Sequence, residues 1–305
     1  MNYPKPLRKG DTIGLIAPSS AVSGERVDAC IKKLEQMGFG VKAADNLSAD
    51  YGGYMAGDGK IRGQWINRMF ADPEVDAIFC IRGGDGGSRA FEHVDLELVR
   101  RNPKIFVGYS DVTTFHLAFN QSCDLVTFHG PMVSSNMVDS FDAETEAAFR
   151  AALTAKETYV FQNPAGMEIG VLKEGRASGR LVGGNLALLS ASIGTPYELD
   201  TKDKILFLEE VGETPGRLER FAWHLRNSGK YRDCRGILLG QFTECENKAV
   251  PDYNVLRCFA DILKPFDIPV LYNLQSGHGE KMITVPMGAI CTMDTAERSI
   301  RFDYK

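Results

Sequence analysis

The chain has 305 residues, of which 44% are hydrophobic and 25% are charged, and its net charge at pH 7 is −5. These values are typical of a soluble globular protein, and the length favours two domains over one. The basic residues are scattered along the chain, which argues against a nucleic-acid partner held through phosphate contacts.

The sequence gives no sign of secretion, membrane insertion or metal binding. No apolar run approaches the roughly 18 residues that a membrane span requires. Residues 1–10 have neither an apolar core nor a small-residue cleavage site, so we predict no signal peptide. The seven cysteines never form a CxxC pair, and several lie in apolar patterns. We therefore predict a cytoplasmic protein with reduced cysteines, no metal and no membrane partner.

The first half of the chain alternates strand and helix patterns. The predicted strands cover residues 12–17, 76–81, 105–107 and 125–128, and the predicted helices cover residues 24–37 and 61–70. Such alternation predicts an α/β fold with a parallel sheet, helices on both of its faces and ligand sites at the carboxyl ends of the strands.

The second half shows a different pattern. A predicted polar helix over residues 141–157 is followed by a segment at 161–166 that contains Pro and Gly, and we interpret this segment as a linker. After it come predicted strands at 204–208, 236–239, 270–272, 289–293 and 299–302, with predicted helices at 185–192 and 217–226. We predict a smaller mixed α/β, barrel-like domain, with domains at residues 1–160 and 161–305.

Ser110 lies where an apolar strand pattern turns abruptly into a helix pattern. A sharp turn there would expose the hydroxyl, and the first amides of the helix would face any oxyanion formed beside it. The Gly108-x-Ser110 spacing is similar to a nucleophile elbow, although Val112 occupies the position of that motif's second glycine. The alternative is an ordinary turn serine, with Asp111 as the N-cap of the following helix.

An acid and a histidine follow Ser110 in chain order. Glu209 and Glu210 end an apolar strand pattern, and alternation along the strand would send them to opposite faces, so only one can orient a histidine. His278 stands between two glycines in a loop. Serine, acid and histidine together predict a serine hydrolase. The alternatives are solvated acids at a strand end and an exposed loop histidine.

The glycine-rich loop at residues 82–88 also follows a predicted strand. Glycines there let successive backbone N–H groups converge on an anion, so the loop could complete an oxyanion hole. The loop matches neither the P-loop motif nor the GxGxxG motif, which weakens the hypothesis that it binds a dinucleotide. Residues 180–185 form a similar turn, which either binds an anion or packs a helix start. Among the other histidines, His129 is the strongest candidate, because it lies at a carboxyl edge of the sheet.

These segments together resemble the LD-carboxypeptidases, the serine peptidase family that includes muramoyl-tetrapeptide carboxypeptidase and the microcin C7 self-immunity proteins. The matching segments occur in order over nearly the full chain, at residues 10–19, 82–88, 108–111, 129–131, 183–185, 193–196, 206–213, 277–278 and 286.

The resemblance implies a Ser–Glu–His triad divided between two domains. Ser110 would lie in a flavodoxin-like or Rossmann-like N-terminal domain, and Glu209 and His278 would come from the C-terminal domain. The family pattern selects Glu209, whereas the residues alone left both acids open. Family members are typically dimeric, free of metal and other cofactors, and cytoplasmic, so we expect a homodimer.

The implied reaction is hydrolysis of the amide between an L-centre diamino acid and a C-terminal D-alanine in a peptidoglycan tetrapeptide. The amides of Asp111 and Gly84 would hold the oxyanion, and Gly83, Asp85 and Gly86 would contact this small peptide substrate. The chain departs from the family pattern at Asp85, which replaces the aromatic of RGGYG, and at Gly216, where a tyrosine often stands.

Three alternatives stay open at this point. The same triad could act on a microcin-type acyl-sulfamoyl bond. A protein of another class, a non-catalytic two-domain binding module, could use the glycine loop and Arg82 to hold a carboxylate, but it would leave Glu209 and His278 without a role. A nicotinamide dehydrogenase is the third alternative.

Overall fold

The computed structural model describes residues 1–304, which form two β-sheets and the helices packed on them. The strands are β1 (Thr12–Ile16), β2 (Gly40–Ala43), β3 (Ala77–Cys80), β4 (Ile105–Gly108), β5 (Thr127–His129), β6 (Thr158–Phe161), β7 (Gly170–Lys173), β8 (Arg176–Asn185), β9 (Lys204–Val211), β10 (Gly236–Thr243), β11 (Val270–Tyr272), β12 (Val285–Met287), β13 (Ile290–Asp294) and β14 (Ser299–Asp303). The α-helices are α1 (Gly24–Gln36), α2 (Gly59–Ala71), α3 (Gly87–Phe91), α4 (Leu96–Arg101), α5 (Thr113–Ser122), α6 (Ala143–Thr154), α7 (Leu186–Ser192), α8 (Pro215–Asn227) and α9 (Val255–Leu263).

The first sheet has the strand order β12-β5-β4-β3-β1-β2. Strands β1 to β5 pair in parallel, which confirms the predicted parallel sheet. Every residue of β3 and β4 is buried, as expected for central strands covered on both faces. Two of the flanking helices begin at side-chain caps, Ser23 for α1 and Asp58 for α2.

The sixth strand of this sheet comes from far along the chain. Strand β12 pairs antiparallel with β5, so that Val285 lies opposite His129. The sequence pattern did not predict this strand, because three apolar residues carry no clear period. Its position brings the segment that follows His278 back against the carboxyl edge of the first sheet.

The second sheet is mixed, as predicted, with the order β6-β14-β13-β8-β9-β10-β11-β7. Strands β8 to β11 are parallel in its centre, while β13, β14 and β6 on one side and β7 on the other are antiparallel. The sequence pattern predicted none of β6, β7, β8 and α9. Strand β8 is rich in glycine and arginine, so it lacks the apolar run that identified its neighbours.

The predicted linker begins too late. Residues 158–161 form β6, in which Tyr159 and Phe161 are buried while their neighbours are exposed, and this strand pairs with β14 of the second sheet. The connection from the first sheet to the second therefore lies between α6 and β6. The segment with Pro and Gly follows β6 and connects it to β7. The predicted boundary between residues 160 and 161 falls inside β6, and the division into domains 1–160 and 161–305 stays a prediction.

The seven cysteines are buried and carry free thiols. Burial raises the pKa of these thiols, for example that of Cys30 to about 11. In the part of the chain that the structure describes, no helix is both long and apolar enough to cross a membrane. Residues 1–304 also contain no cluster of three or more His, Cys, Asp or Glu side chains arranged to hold a metal ion.

An aromatic cluster forms part of the core beneath α5. Phe119 is fully buried, and its ring lies 5.0 Å from that of Phe106 and 5.5 Å from that of Phe70, both in edge-on orientation. Edge-on aromatic pairs of this kind add to the free energy gained by burying the rings themselves.

Replacing Phe119 by alanine should lower the free energy of unfolding by about 3–5 kcal/mol, because it leaves a cavity beside the rings of Phe70 and Phe106. Urea unfolding measures the change. The matched control is Val160→Ala at a residue that is 52% exposed, which should change stability by less than about 0.5 kcal/mol. A loss below about 1 kcal/mol for Phe119→Ala would contradict the close packing of these rings.

Candidate active site

Ser110 occupies the sharp turn that the sequence predicts between β4 and α5. The backbone of Tyr109 is extended. Ser110, with φ +65°, is the first residue of a short 3-10 turn over residues 110–112, and this turn leads into α5. A non-glycine residue in the left-handed region is uncommon and costs free energy, and such residues cluster at functional sites. Ser110 is half-buried, so its hydroxyl group lies at the end of a strand near the surface.

Two glycines permit this turn. A Cβ atom on Gly83 would lie 2.9 Å from Ser110 Cβ, so the glycine loop is pressed against the serine. A Cβ atom on Gly108 would lie 2.8 Å from a methyl carbon of Val112. Val112 thus packs on Gly108, which explains how the turn forms although the second glycine of the nucleophile elbow is missing.

Glu209 and His278 form a hydrogen bond of 2.6 Å between Oε2 and Nδ1. The Glu209 side chain is completely buried and that of His278 is 14% exposed. The alternative of an exposed loop histidine is therefore wrong. Gly277, at φ +142°, allows the close approach, since a Cβ there would lie 3.0 Å from Glu209 Oε2.

Glu210 points to the opposite face, as strand alternation predicts. Its Oε1 accepts a hydrogen bond from Asn185 Nδ2 and its Oε2 accepts one from the Ala187 N–H at the start of α7, both at 2.8 Å. Both acids are buried, so the alternative of a solvated strand end is wrong. Burial raises the pKa of Glu210. Residues 180–185 lie in β8 and do not form the predicted turn, and the Asn185 side chain caps the start of α7, which favours the helix-start alternative.

The electrostatic environment of His278 suits a general base. Burial by itself would lower the pKa of the imidazole, but the charge of Glu209 and the hydrogen bond that His278 Nδ1–H donates to it act in the opposite direction, and the net effect raises the pKa. A neutral Nε2 opposite a carboxylate-bound Nδ1–H is the arrangement that a serine nucleophile needs.

His278 lies close to the turn over residues 109–112, here called the serine turn, because its ring contacts the ring of Tyr109. The two rings lie 4.8 Å apart in edge-on orientation, a contact that the sequence analysis did not identify although Tyr109 adjoins Ser110. Within residues 1–304, Ser110 Oγ makes no hydrogen bond to His278 or to another side chain. Catalytic hydrogen bonds are often long before substrate binds and shorten in the complex.

The Asp111 carboxylate holds the serine turn against the glycine loop. Its Oδ2 accepts hydrogen bonds from Ser19 Oγ at 2.5 Å and from the Gly87 N–H at 2.7 Å. The alternative of Asp111 as an N-cap is wrong, because its side chain does not bond to the helix that follows. Burial raises the pKa of Asp111. Ser19 is a second residue that the sequence analysis missed.

The remaining predicted site residues lie on the glycine loop. Gly84 has φ +115° and Gly86 has φ +93°, and a Cβ on Gly84 would overlap Ser20 Oγ. Asp85 between them is exposed, and its N–H donates to Ser20 Oγ at 3.3 Å. The buried Arg62 supports the loop from below by donating to Gly86 O at 2.7 Å.

Two other histidines, His116 and His129, are also buried. His116 Nε2 donates to the Gly108 carbonyl oxygen at 2.9 Å, and burial lowers the pKa of His116 to about 4. His129 lies at the carboxyl edge of the first sheet as predicted, with its ring 5.1 Å from that of Phe207. Burial lowers the pKa of His129 well below its ordinary value, so it stays neutral.

Two family models match the chain. The LD-carboxypeptidase N-terminal domain matches residues 13–130, and the LD-carboxypeptidase C-terminal domain matches residues 178–293. The first range contains Ser110 and the second contains Glu209 and His278.

Similar proteins align over almost the whole chain. A probable murein peptide carboxypeptidase of Bacillus subtilis is 39% identical and covers 98% of this chain and 94% of its own length. A murein tetrapeptide carboxypeptidase of Pseudomonas aeruginosa is 31% identical over 92% of each chain. The solved structure of microcin C7 self-immunity protein MccF in its wild-type apo state has a TM-score of 0.90 at 24% identity, covering 100% of this chain and 99% of its own, which establishes the fold.

Replacing Glu209 by glutamine should lower the pKa of His278. The wild-type pKa is expected above the ordinary value of about 6.5, and removing the charge leaves the opposing effect of burial. Titration of the imidazole by NMR measures both proteins. Glu92→Gln, at an exposed acid on α3's C-terminal end, controls for net charge, and an equal shift in this control would contradict the pairing.

Proposed function

The chain belongs to the LD-carboxypeptidase family, and from this premise we propose that it is a serine peptidase that releases C-terminal D-alanine from murein tetrapeptides. The observation that carries the proposal is the buried 2.6 Å bond between Glu209 and His278, formed beside a serine in a left-handed turn. A non-catalytic binding protein would have no use for this pair. The names of the murein carboxypeptidase relatives support the substrate class.

In the proposed reaction, Ser110 Oγ attacks the carbonyl carbon that precedes D-alanine while His278 Nε2 accepts the hydroxyl proton. Glu209 keeps His278 in the required tautomer and stabilises the imidazolium. His278 then donates the proton to the leaving amine, which releases D-alanine and leaves an acyl group on Ser110. A water molecule, deprotonated by His278, hydrolyses this ester and regenerates the serine.

The backbone N–H groups of Asp111 and Gly84 are the proposed oxyanion donors. Among residues 1–304 neither N–H has a protein acceptor, in contrast to those of Asp85 and Gly87, which donate to Ser20 and Asp111. Unpaired amides at this position are available to the negative charge that develops on the substrate oxygen. Loss of one such donor typically reduces turnover about 10²- to 10³-fold.

We also propose that Gly83, Asp85 and Gly86 contact the peptide substrate. Gly83 adjoins Ser110, and the left-handed glycines on either side of Asp85 fix the path of the loop beside the nucleophile. The resemblance to the family further supports a cytoplasmic homodimer that acts on a small muropeptide and needs no cofactor.

The decisive experiment incubates the protein with L-Ala-γ-D-Glu-meso-diaminopimelate-D-Ala and follows the products by mass spectrometry. Wild type should release one alanine, and Ser110→Ala should lower kcat by about 10³-fold or more, since the nucleophile is lost. The Ser122→Ala variant, at the far end of α5, is the matched control and should retain activity.

Turnover by Ser110→Ala at the wild-type rate would contradict the proposed nucleophile. If wild type leaves the tetrapeptide intact, an aminoacyl-sulfamoyl nucleoside is the next substrate to test. Cleavage of that compound by wild type alone would move the function to the microcin type, and failure on both would favour the binding module.

Asp85 should favour substrates that carry a cationic side chain on the residue before D-alanine. Asp85→Asn should lower kcat/KM for a lysine-containing tetrapeptide by about 2- to 5-fold, the range for an exposed ion pair. The same change should leave kcat/KM unaltered for a tetrapeptide with Nε-acetyl-lysine, which has no charge to lose. An equal effect of the variant on both peptides, measured side by side, would contradict this role.

A further inference from the structure

Strand β10 contains an irregularity directly opposite Glu209. Leu239 pairs with Leu208 and Phe242 pairs with Glu210, so that Gly240 and Gln241 together face Glu209 alone. A β-bulge of this kind redirects a side chain, and bulges are over-represented next to active sites. Here the redirected residue is Gln241, which is half-buried.

Gln241 binds both sides of the segment that carries His278, residues 275–281, here called the His278 loop. Its Oε1 accepts a hydrogen bond from the Gly279 N–H at 2.8 Å, and its Nε2 donates to Lys281 O at 3.0 Å. The same Nε2 donates to Gln275 Oε1 at 3.0 Å, and the backbone N–H of Gln241 donates to Ser276 O at 3.0 Å.

The loop lies directly on Gln241 and Glu209. A Cβ on Gly277 would lie 3.1 Å from Gln241 Cβ and 3.0 Å from Glu209 Oε2. A Cβ on Gly279 would overlap the side-chain amide of Gln241. The two glycines that flank His278 therefore allow the backbone to pack against Gln241 on both sides of the imidazole.

We propose that Gln241 is a positioning residue, which fixes the His278 loop so that Nδ1 stays within hydrogen-bonding distance of Glu209. The inference rests on the proposed function, because it assigns a role in the reaction that Ser110 and His278 would perform. Gln241 acts through His278 and does not itself contact the reacting atoms. Its loss should therefore affect the chemical step more than substrate binding.

Gln241→Leu tests the proposal, because leucine fills similar space without a hydrogen-bonding group. We expect kcat to fall about 10- to 10²-fold with KM changed less than 2-fold, since small misplacements of a catalytic group have effects of this size. The acidic limb of the kcat/KM profile should also move to lower pH, because a His278 held less closely to Glu209 has a lower pKa.

Gln121→Leu is the matched control. Gln121 is also half-buried, and it bonds to the backbone through Glu198 O at 3.2 Å and the Asp200 N–H at 2.8 Å, at the far end of α5. This variant should lose a comparable amount of stability while keeping the wild-type kcat and pH profile. Equal losses of kcat in Gln121→Leu and Gln241→Leu would mean a structural role only and would overturn the proposal.

NMR titration of His278 separates this proposal from the proposed function. A lower pKa of His278 in Gln241→Leu, with the Gln121→Leu value unchanged, supports the positioning role even if wild type proves inactive on murein peptides. An unchanged pKa and an unchanged kcat in folded Gln241→Leu would overturn it. An inactive wild type would instead contradict the proposed function alone.

Discussion

The contact between Glu209 and His278 is the interaction on which the rest of the site depends. A carboxylate that is fully buried is costly unless it accepts a hydrogen bond, and the His278 Nδ1–H provides that bond. The contact sets the tautomer and raises the pKa of the imidazole. Much of the surrounding backbone, including Gly277 and the bulge at Gln241, is shaped so that this one bond can form.

The site is divided between two sheets, so its geometry depends on how they are joined. The backbone N–H of Asn185, at the end of β8, donates to Thr113 Oγ1 at 3.1 Å, three residues after Ser110. Strand β12 adds a second connection, because it follows the His278 loop and pairs with β5. These contacts hold the serine turn and the Glu–His pair on one shared interface, with the Tyr109 ring packed against His278.

Local sequence patterns predicted much of the framework. Apolar runs predicted the central strands of the first sheet and strands β9 to β11 of the second. The change of period at Ser110 predicted its turn, and alternation predicted opposite faces for Glu209 and Glu210. These features depend on residues a few positions apart, so a linear pattern records them. The pattern could not select between the two acids, because each one's partner lies far away in sequence, and the family resemblance made that selection.

What the sequence by itself determined is therefore most of the central elements and the residue types at their ends. Only the tertiary structure decided which distant segments meet: β12 with β5, Asp111 with Ser19, and Gln241 with the His278 loop. Strand β6 was missed because its short alternation lies next to Pro and Gly, and its pairing with β14 at the end of the chain identifies it. The physical reason is common to all these cases, since long-range pairings depend on packing and burial that no local period encodes.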